Sequence, residues 1–447
     1  MAAFMNNEDV TLSESAPRAL TWKRLDGIDL LRGLSIFFVL MNHINIRLLG
    51  ADVPYTELLP AQLVHILVWN AQLGVQMFFA ISGFLITSIT IRRWGSLPRV
   101  SLRGFYLFRF ARIAPLLFLL LAVLCTLHFA DVHHYRVTSE TGGLGRALLA
   151  ALTLHLNELE IHRGYLPGNW DILWSLSIEE MFYLFFPLAC FLLAGKRFFG
   201  RGIVFPTLLL IFVILGPFGR TLFAHGNEIA EDYSYLGGME GISWGCLTAL
   251  VVSSRRFSRR AISALGIAGT VVLSASLIFS WQAYTGWLGK TGLNFSLLSV
   301  GTCMFIAATT QMEWRSPRVL GPLVRMGRYS YEIYLTHMFV VFTLFDLFLH
   351  AGKPMRGVPI LFVFAILFAA LLGAGVANLY SEPANRFLRR RTSSGALRQC
   401  QLHQPASSPQ TSHITSLRAQ RLHGIRRSSS TCWENAGDRG ASAERKN

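Results

Sequence analysis

The chain has 447 residues, of which 52% are hydrophobic and only 15% are charged. Soluble domains carry about 25% charged residues, so this composition offers too little polar surface for a soluble protein of this size. It excludes a soluble enzyme, a collagen-like chain and an intrinsically disordered protein. The net charge of +16 does not indicate a nucleic-acid partner, because residues 389–447 hold 11 basic and 3 acidic residues and thus half of the excess.

Apolar runs long enough to cross about 30 Å of hydrocarbon, which takes roughly 20 residues, recur along the chain. We predict ten membrane spans, at 30–49, 73–91, 113–130, 173–194, 203–219, 236–252, 261–281, 294–311, 330–349 and 358–379. The residues before the first run are polar and no small-residue cleavage site follows it, so we expect no cleavable signal peptide. The expected fold is an all-α integral membrane protein with about ten transmembrane helices.

The charges of the short loops predict the orientation of these spans. Segment 92–112 holds six arginines and no acidic residue, which is typical of a cytoplasmic loop. Segment 131–171 holds three arginines and five acidic residues and is expected outside. An eleventh apolar run, at 146–156, is short and lies within that outer segment, so we expect it not to cross. Ten crossings place both termini in the cytoplasm of a cell whose inner (plasma) membrane holds the protein.

Composition also divides the chain. Residues 1–24 are polar and are expected to be a disordered cytoplasmic segment, and 25–391 form the membrane domain. Residues 392–447 are rich in Ser, Gln, Arg and Gly with few aromatics, which predicts a disordered basic cytoplasmic tail. The six cysteines form no C-x-x-C pair, so we expect neither a structural zinc site nor a redox motif.

Ionisable side chains inside spans are costly, and each is therefore a functional hypothesis. Arg32 and His43 are 11 residues apart in the first span, which corresponds to three turns plus about 20° and a rise of about 16 Å. They are thus predicted to share one helix face. Histidine is the natural general base, because its ordinary pKa lies near neutrality. A snorkelling arginine and a hydrogen-bonded core histidine remain the alternative.

The run at 173–194 carries a polar stripe. Ser175, Glu179 and Tyr183 are spaced i, i+4 and i+8 on an otherwise apolar helix. Glu180 is predicted to point about 100° away from Glu179, so that the two do not act as a pair. A carboxylate within a span needs a partner, and a histidine or an arginine is expected. An interfacial acid in contact with water is the alternative.

A third polar group lies at the start of the run at 330–349. Tyr334 and His337 are i, i+3 neighbours and are predicted to face one cavity. Glu332 is five residues from His337, on a less similar face. Near the start of the second run, small residues at Gly74 and Gly83 would let neighbouring helices approach closely.

Taken in this order, these segments resemble the membrane acyltransferase 3 family, which comprises bacterial O-acyltransferases that modify surface polysaccharides and other glycosylated acceptors. The motifs that carry the resemblance are Arg32 with His43, and the segments 74–79, 82–85, 109–115, 174–183, 334–337 and 381–383. The resemblance runs from about residue 25 to residue 391. Two positions depart from the family pattern: Leu30, where a glycine is usual, and Thr336, where an aromatic residue is common.

The resemblance implies transfer of an acyl group, acetyl being the expected one, from cytoplasmic acyl-CoA to a hydroxyl group of a carbohydrate. We assign His43 as the general base, with Glu179 orienting His43 or stabilising its imidazolium, and Arg32 as the third catalytic residue. Substrate binding is expected at Ser82, Arg109, Arg112, Ser175, Tyr183, Tyr334 and His337. The outer segment 131–172 is expected either to hold the acceptor or merely to cap the helices.

Acyl-CoA is expected as a co-substrate, with no metal and no permanently bound cofactor. Coenzyme A is a polyanion, and arginines such as those of 92–112 suit its phosphate groups. For Arg92, Arg93 and Arg99 a simple orientation signal is the alternative. A polytopic secondary transporter is the alternative function, although no pair of matching halves is visible. The basic tail has one Trp and no repeated basic–aromatic pattern, so no nucleic-acid partner is expected.

Overall fold

The structure is a computed structural model that describes residues 25–193 and 203–389. Within these residues every regular element is a helix. The predicted disordered segments 1–24 and 392–447 lie outside the described residues.

The helices of the described residues are short connecting elements and long apolar ones. In chain order they are α1 (Asp26–Gly50), α2 (Ala61–Val68), α3 (Ala71–Trp94), α4 (Leu102–Phe129), α5 (Gly143–Leu152), α6 (Leu156–Arg163), α7 (Gly168–Asp171), α8 (Leu173–Leu193), α9 (Val204–Arg220), α10 (Glu228–Tyr233), α11 (Tyr235–Ser254), α12 (Arg259–Ile278), α13 (Ser280–Thr285), α14 (Trp287–Lys290), α15 (Leu293–Gln311), α16 (Gly321–Arg328), α17 (Ser330–His350) and α18 (Val358–Val376). A π-helical turn, Ala377–Ser381, continues α18 into a final helical stretch that ends at residue 389.

Nine helical segments of the described residues are long and apolar enough to cross a membrane, and each overlaps a predicted span. The remaining prediction, 203–219, corresponds to α9, whose 17 residues are at the short end of the range for a span. The run predicted not to cross forms α5, and its 10 residues are too few to span. An all-α, multi-pass membrane protein is thereby confirmed, while the side of the membrane that each loop faces stays a prediction.

The structure differs from the prediction at α4, which begins at Leu102 rather than at 113. Ser101 caps its first turn, because the Ser101 hydroxyl accepts a hydrogen bond of 3.2 Å from the backbone N–H of Gly104. The arginines of this stretch therefore lie on a helix, not in a loop. An apolar-run criterion misses such a start, since it detects only the part of a helix that is free of charge.

Segment 131–172, which is predicted to lie outside, contains a 3-10 turn (His133–Tyr135) and three short α-helices with buried faces. Leu156, Asn157 and Glu160 of α6 are fully buried. The Leu156 backbone N–H donates to the Ser177 hydroxyl of α8 at 3.3 Å, and the Asn157 side chain donates to the backbone carbonyl of Tyr233 at 3.1 Å. These contacts favour the capping alternative for α6 over a loop that is free to hold an acceptor.

The second span, α3, is held against α11 by backbone contact. A Cβ atom built on Gly83 would lie 1.9 Å from the carbonyl oxygen of Ile242, and one built on Gly245 would lie 1.9 Å from that of Ala80. No larger residue fits at either position without moving a helix. This crossing determines where α3 presents Ser82, the residue that precedes Gly83.

Candidate active site

A cavity of about 400 Å³ lies between α1, α3, α4, α8 and α17, and we call it the first cavity. Its lining includes eight of the ten predicted site residues: Arg32, Ser82, Arg109, Arg112, Ser175, Glu179, Tyr183 and Tyr334. His43 and His337 are not part of the lining. The sequence thus predicted most of the wall of this cavity, from positions spread over five helices.

Ser175, Glu179 and Tyr183 lie on one side of α8, as their spacing predicted, and all three line the first cavity. Glu179 Oε1 accepts hydrogen bonds from the Tyr183 hydroxyl at 2.8 Å and from the Ser82 hydroxyl of α3 at 2.8 Å. The stripe therefore joins α8 to α3 along the cavity wall.

The prediction that Glu179 and Glu180 do not act together is wrong, because Arg109 of α4 binds both. Arg109 Nη2 lies 3.0 Å from Glu179 Oε1 and 2.5 Å from Glu180 Oε1, and Arg109 Nε donates to Glu180 Oε1 at 2.8 Å. The guanidinium also lies over the Tyr183 ring, 3.8 Å from its centroid. A long arginine side chain reaches between two adjacent helix faces, which a comparison of helix angles alone does not consider.

The prediction that Glu179 orients His43 is not matched by the contacts of either side chain. The hydrogen bonds of Glu179 go to Ser82, Tyr183 and Arg109. His43 instead forms its hydrogen bond with His337 of α17, at 2.9 Å between His43 Nδ1 and His337 Nε2. In the structure Glu179 is thus paired with an arginine, and His43 is paired with another histidine.

The hydrogen-bond partners of His43 and His337 determine which ring nitrogens carry a proton. His337 Nδ1 lies 2.7 Å from the backbone carbonyl oxygen of Tyr334. Because a carbonyl oxygen only accepts hydrogen bonds, we assign a proton to His337 Nδ1. In neutral His337, Nε2 then accepts the hydrogen bond from His43 Nδ1–H. The lone pair of His43 Nε2 is left available, as a general base requires.

Arg32 and His43 share one face of α1, as the spacing predicted. Both contact α17: Arg32 Nε donates to the Ser330 hydroxyl at 3.0 Å, and His43 pairs with His337. Ser330 and His337 are themselves seven residues, or two turns, apart on α17. Arg32 and His43 therefore mark two levels of the interface between α1 and α17.

Tyr334 lies between the first cavity and the histidine pair. It lines the cavity, and its ring centroid is 5.9 Å from that of His337. Its hydroxyl donates to the backbone carbonyl of Ile172 at 3.0 Å and lies 2.7 Å from the Ser175 hydroxyl oxygen. Tyr334 lines the first cavity and His337 does not, so the two do not share one cavity as predicted.

The other end of the first cavity is rich in arginine. Arg93, Arg112 and Arg389 line the cavity and are exposed. The guanidinium carbons of Arg93 and Arg389 lie 3.5 Å and 4.8 Å from the centroid of the Phe108 ring. We call these three residues the arginine rim. Arg389 was not singled out from the sequence, because it is near the end of the domain and only the fold brings it to α4.

A further group of polar atoms surrounds the far end of α1, one turn beyond His43. Arg47 Nε, both polar side-chain atoms of Asn169 and Trp170 Nε1 are buried and have no hydrogen-bond partner among the described residues. The short helix α7 lies against Arg47, since a Cβ atom built on Gly168 would lie 3.5 Å from Arg47 Nη2. Arg47 and Asn169 were not among the residues predicted from the sequence, although an arginine four residues after His43 is a detectable signal.

Comparisons with known proteins identify the family of this chain. The family model described as an acyltransferase domain, that of acyltransferase 3, matches residues 25–379. The O-acetyltransferase OatA of Staphylococcus aureus (strain COL) is 24% identical over 359 residues, which cover 78% of this chain and 55% of OatA. A protein of Staphylococcus aureus (strain MRSA252) named "Putative O-acetyltransferase" is 26% identical over 391 residues, which cover 83% of this chain and 59% of that protein.

The chain thus spans somewhat more than half the length of these curated relatives. No solved structure matches it. The family match covers most of the membrane helices and all of the predicted site residues, from Arg32 to His337. The chain therefore belongs to the acyltransferase 3 family, and residues 25–379 are its acyltransferase domain.

Proposed function

We propose that this protein is an O-acetyltransferase of the inner (plasma) membrane that moves the acetyl group of acetyl-CoA to a hydroxyl group of a carbohydrate. The observation that carries the proposal is one arrangement: a cavity with an arginine rim at one end and a histidine with a free nitrogen behind the other. The names of the relatives support an acetyl group and an oxygen acceptor. Membership of an acyltransferase family favours an enzyme over the alternative function of a secondary transporter.

The first cavity suits a long donor with an anionic head. Its lining carries five arginines (Arg32, Arg93, Arg109, Arg112 and Arg389) and one acidic residue, Glu179. We assign phosphate binding to the arginine rim because its three guanidinium groups are exposed at one end of the cavity, and Arg112 is its member from the family motif. The pantetheine arm would then lie along the apolar wall formed by residues such as Phe78 and Leu176. The thioester would reach Ser175 and Tyr334.

His43 is the base in the proposed reaction. His43 Nε2 removes the proton of the acceptor hydroxyl while the hydroxyl oxygen attacks the thioester carbonyl carbon. The carbon–oxygen bond forms, the carbon–sulfur bond breaks, and the proton passes from His43 to the departing thiolate. His337 accepts from His43 Nδ1–H and so holds the productive tautomer. The side chain of Tyr334 must move aside for the thioester to meet His43.

The acceptor would enter from the end of α1 opposite the arginine rim. His43 lies 11 residues beyond Arg32, or about 16 Å along the helix axis. Arg47, Asn169 and Trp170 lie beyond His43 with buried polar atoms that no described residue satisfies. Such atoms are costly unless they are hydrogen-bonded, and the hydroxyl groups of a sugar would bond them. This arrangement supports a carbohydrate acceptor that approaches from outside.

The test is an assay of purified protein with acetyl-CoA. We expect release of free thiol that depends on a carbohydrate acceptor, and an acceptor whose mass increases by one acetyl group. His43→Ala should abolish this thiol release. The matched control is His350→Ala, which removes an exposed histidine from the end of α17. Mass spectrometry of surface polysaccharide from a deletion strain identifies the acceptor. Absence of thiol release with every hydroxyl acceptor would contradict the proposal, and transport of an intact solute by the same preparation would restore the transporter alternative.

A further inference from the structure

A second cavity, of about 320 Å³, lies beside the first. It is formed by the start of α1, the start of α17 and the turn that follows α18, and Arg32, Leu85 and Arg112 line both cavities. The two cavities are therefore neighbours that meet at Arg32 and Arg112. The reaction described above does not use the second cavity.

Two polar atoms of the second cavity lack a partner. Ser381 is 7% exposed, and its hydroxyl oxygen has no hydrogen-bond partner among the described residues. The same is true of Asn385 Oδ1, one turn further on, and both residues line the cavity. Ser381 ends the π-helical turn Ala377–Ser381. Such turns are rare and occur frequently at functional sites.

The charges of the second cavity distinguish it from the first. Its lining carries three arginines and three acidic residues, which are Arg32, Arg112, Arg328, Asp29, Glu332 and Glu382. It is therefore balanced in charge, whereas the first cavity is strongly cationic. A balanced polar cavity suits a neutral group with several hydrogen-bond donors and acceptors. Tyr329 adds an aromatic ring to the lining, on which a planar base would stack.

The length of acetyl-CoA suggests how it is distributed over the two cavities. Acetyl-CoA is a long molecule, and a first cavity of about 400 Å³ suits its acetylated pantetheine arm, which leaves the nucleotide to lie beyond the arginine-rich end. With its phosphate groups at Arg112, the junction of the two cavities, the pantetheine arm extends into the first cavity. Adenine, the neutral part of the nucleotide, then faces the second cavity, while the ribose 3′-phosphate stays with the other phosphates at the junction.

From this geometry we infer that the second cavity binds the adenine of the acyl donor, with Ser381 and Asn385 hydrogen-bonded to the base. The inference rests on the proposed function, because it takes acetyl-CoA as the donor. It assigns a role to the segment 381–383, which resembles a family motif but lies outside the matched residues 25–379.

The experiment compares two donors, acetyl-CoA and S-acetylpantetheine, which carries the same thioester without the nucleotide. We expect the double substitution Ser381→Ala, Asn385→Ala to raise the KM for acetyl-CoA about tenfold, the effect of losing one or two hydrogen bonds. The KM for S-acetylpantetheine should not change. Leu379→Ala is the matched control, since this residue of the same π-helical turn is 84% exposed and lines neither cavity.

A second measurement uses adenosine 3′,5′-bisphosphate, the nucleotide part of the donor. It should inhibit competitively against acetyl-CoA but leave turnover of S-acetylpantetheine unaffected, and the double variant should weaken the inhibition about tenfold. This arm uses the wild-type protein first, so it remains decisive if the double variant does not fold.

Three outcomes would overturn the inference. An equal rise in KM for both donors would mean that the second cavity only supports the fold. If the double variant kept the wild-type KM for acetyl-CoA and Arg389→Gln lost the inhibition by the nucleotide, the adenine would lie at the arginine rim. If the wild-type protein used neither donor but acetylated from another source, acetyl-CoA would be the wrong donor. The first two outcomes contradict only the role of the second cavity.

Discussion

The histidine pair and the Arg109 cluster are both polar groups among membrane helices, yet they differ in what they leave unsatisfied. Arg109 holds Glu179 and Glu180, and Glu179 also accepts from Ser82 and Tyr183. The pair of His43 and His337 ends instead in a nitrogen with a free lone pair. The first arrangement joins three helices, whereas the second keeps an acceptor nitrogen, which is why we propose His43 as the base.

The same distinction applies to a third group on α9, α11 and α15. The buried Arg220 forms an ion pair with Glu240, and Glu240 also accepts a hydrogen bond from the Ser296 hydroxyl. Every charge of this group has a partner, as in the Arg109 cluster. An ionisable residue inside a span is therefore a starting hypothesis, and the atom left without a partner decides whether it belongs to chemistry or to packing.

The largest effect is expected from His43→Ala. Loss of the general base should lower kcat by about 10²–10⁴-fold, while the amount of membrane-inserted protein stays unchanged. The measurement is initial-rate kinetics beside His350→Ala. Residual turnover above about a tenth of wild type would assign the base role to another residue, because a general base contributes far more than tenfold.

His337→Ala should lower kcat by about 10–100-fold, because His43 loses the acceptor that holds its tautomer. His337→Gln places an amide oxygen near the former Nε2 position and should restore part of the rate. A higher kcat in His337→Gln than in His337→Ala would show that His337 positions His43. Equal losses in the two variants would show that His337 acts by packing alone.

The Arg109 cluster should respond in stability rather than in chemistry. Glu180→Gln and Glu179→Gln each remove one carboxylate from Arg109, and each should cost about 3 kcal/mol of folding free energy. Glu180 is the closer partner of Arg109, so its substitution should cost no less than that of Glu179. Thermal unfolding in detergent tests this, with Glu313→Gln at an exposed position as the control. A normal melting temperature with a large loss of kcat would move Glu179 into the chemical step.

The arginine rim should act on donor binding. Arg389→Gln and Arg93→Gln are each expected to raise the KM for acetyl-CoA about threefold to tenfold and to leave kcat unchanged, because exposed charges contribute modestly. The difference from wild type should shrink as salt is added, since salt screens exposed charges. A KM that is independent of salt and unaffected by both substitutions would contradict a phosphate site at the rim.

The smallest effect concerns Glu160 of α6, which is fully buried. Burial, and then the nearby Asp171, raise the pKa of Glu160 well above its ordinary value. The folded protein therefore holds this proton more tightly than the unfolded chain, so stability falls as pH rises above the ordinary pKa of glutamate. Glu160→Gln should flatten the decline of melting temperature between pH values of about 5 and 8. An identical decline in the variant would show that another group titrates.

The sequence predicted the spans because hydrocarbon thickness imposes a length and a composition on each of them. It also predicted the stripe of Ser175, Glu179 and Tyr183, and the shared face of Arg32 and His43, since helical periodicity is a local property. The family resemblance then led to the domain that the family match covers. The start of α4 was predicted too late, because its first turns carry charge.

Contacts between helices decided the rest. Arg109 binds Glu180, His43 pairs with His337, 294 residues later in the chain, and Arg389 reaches the cavity from the last described helical turn. None of these partners is within a helical turn of the other, so no periodicity relates them. Periodicity determines which residues share a face of one helix, and only the packing of helices against one another decides which faces meet and which polar atoms are left for substrate.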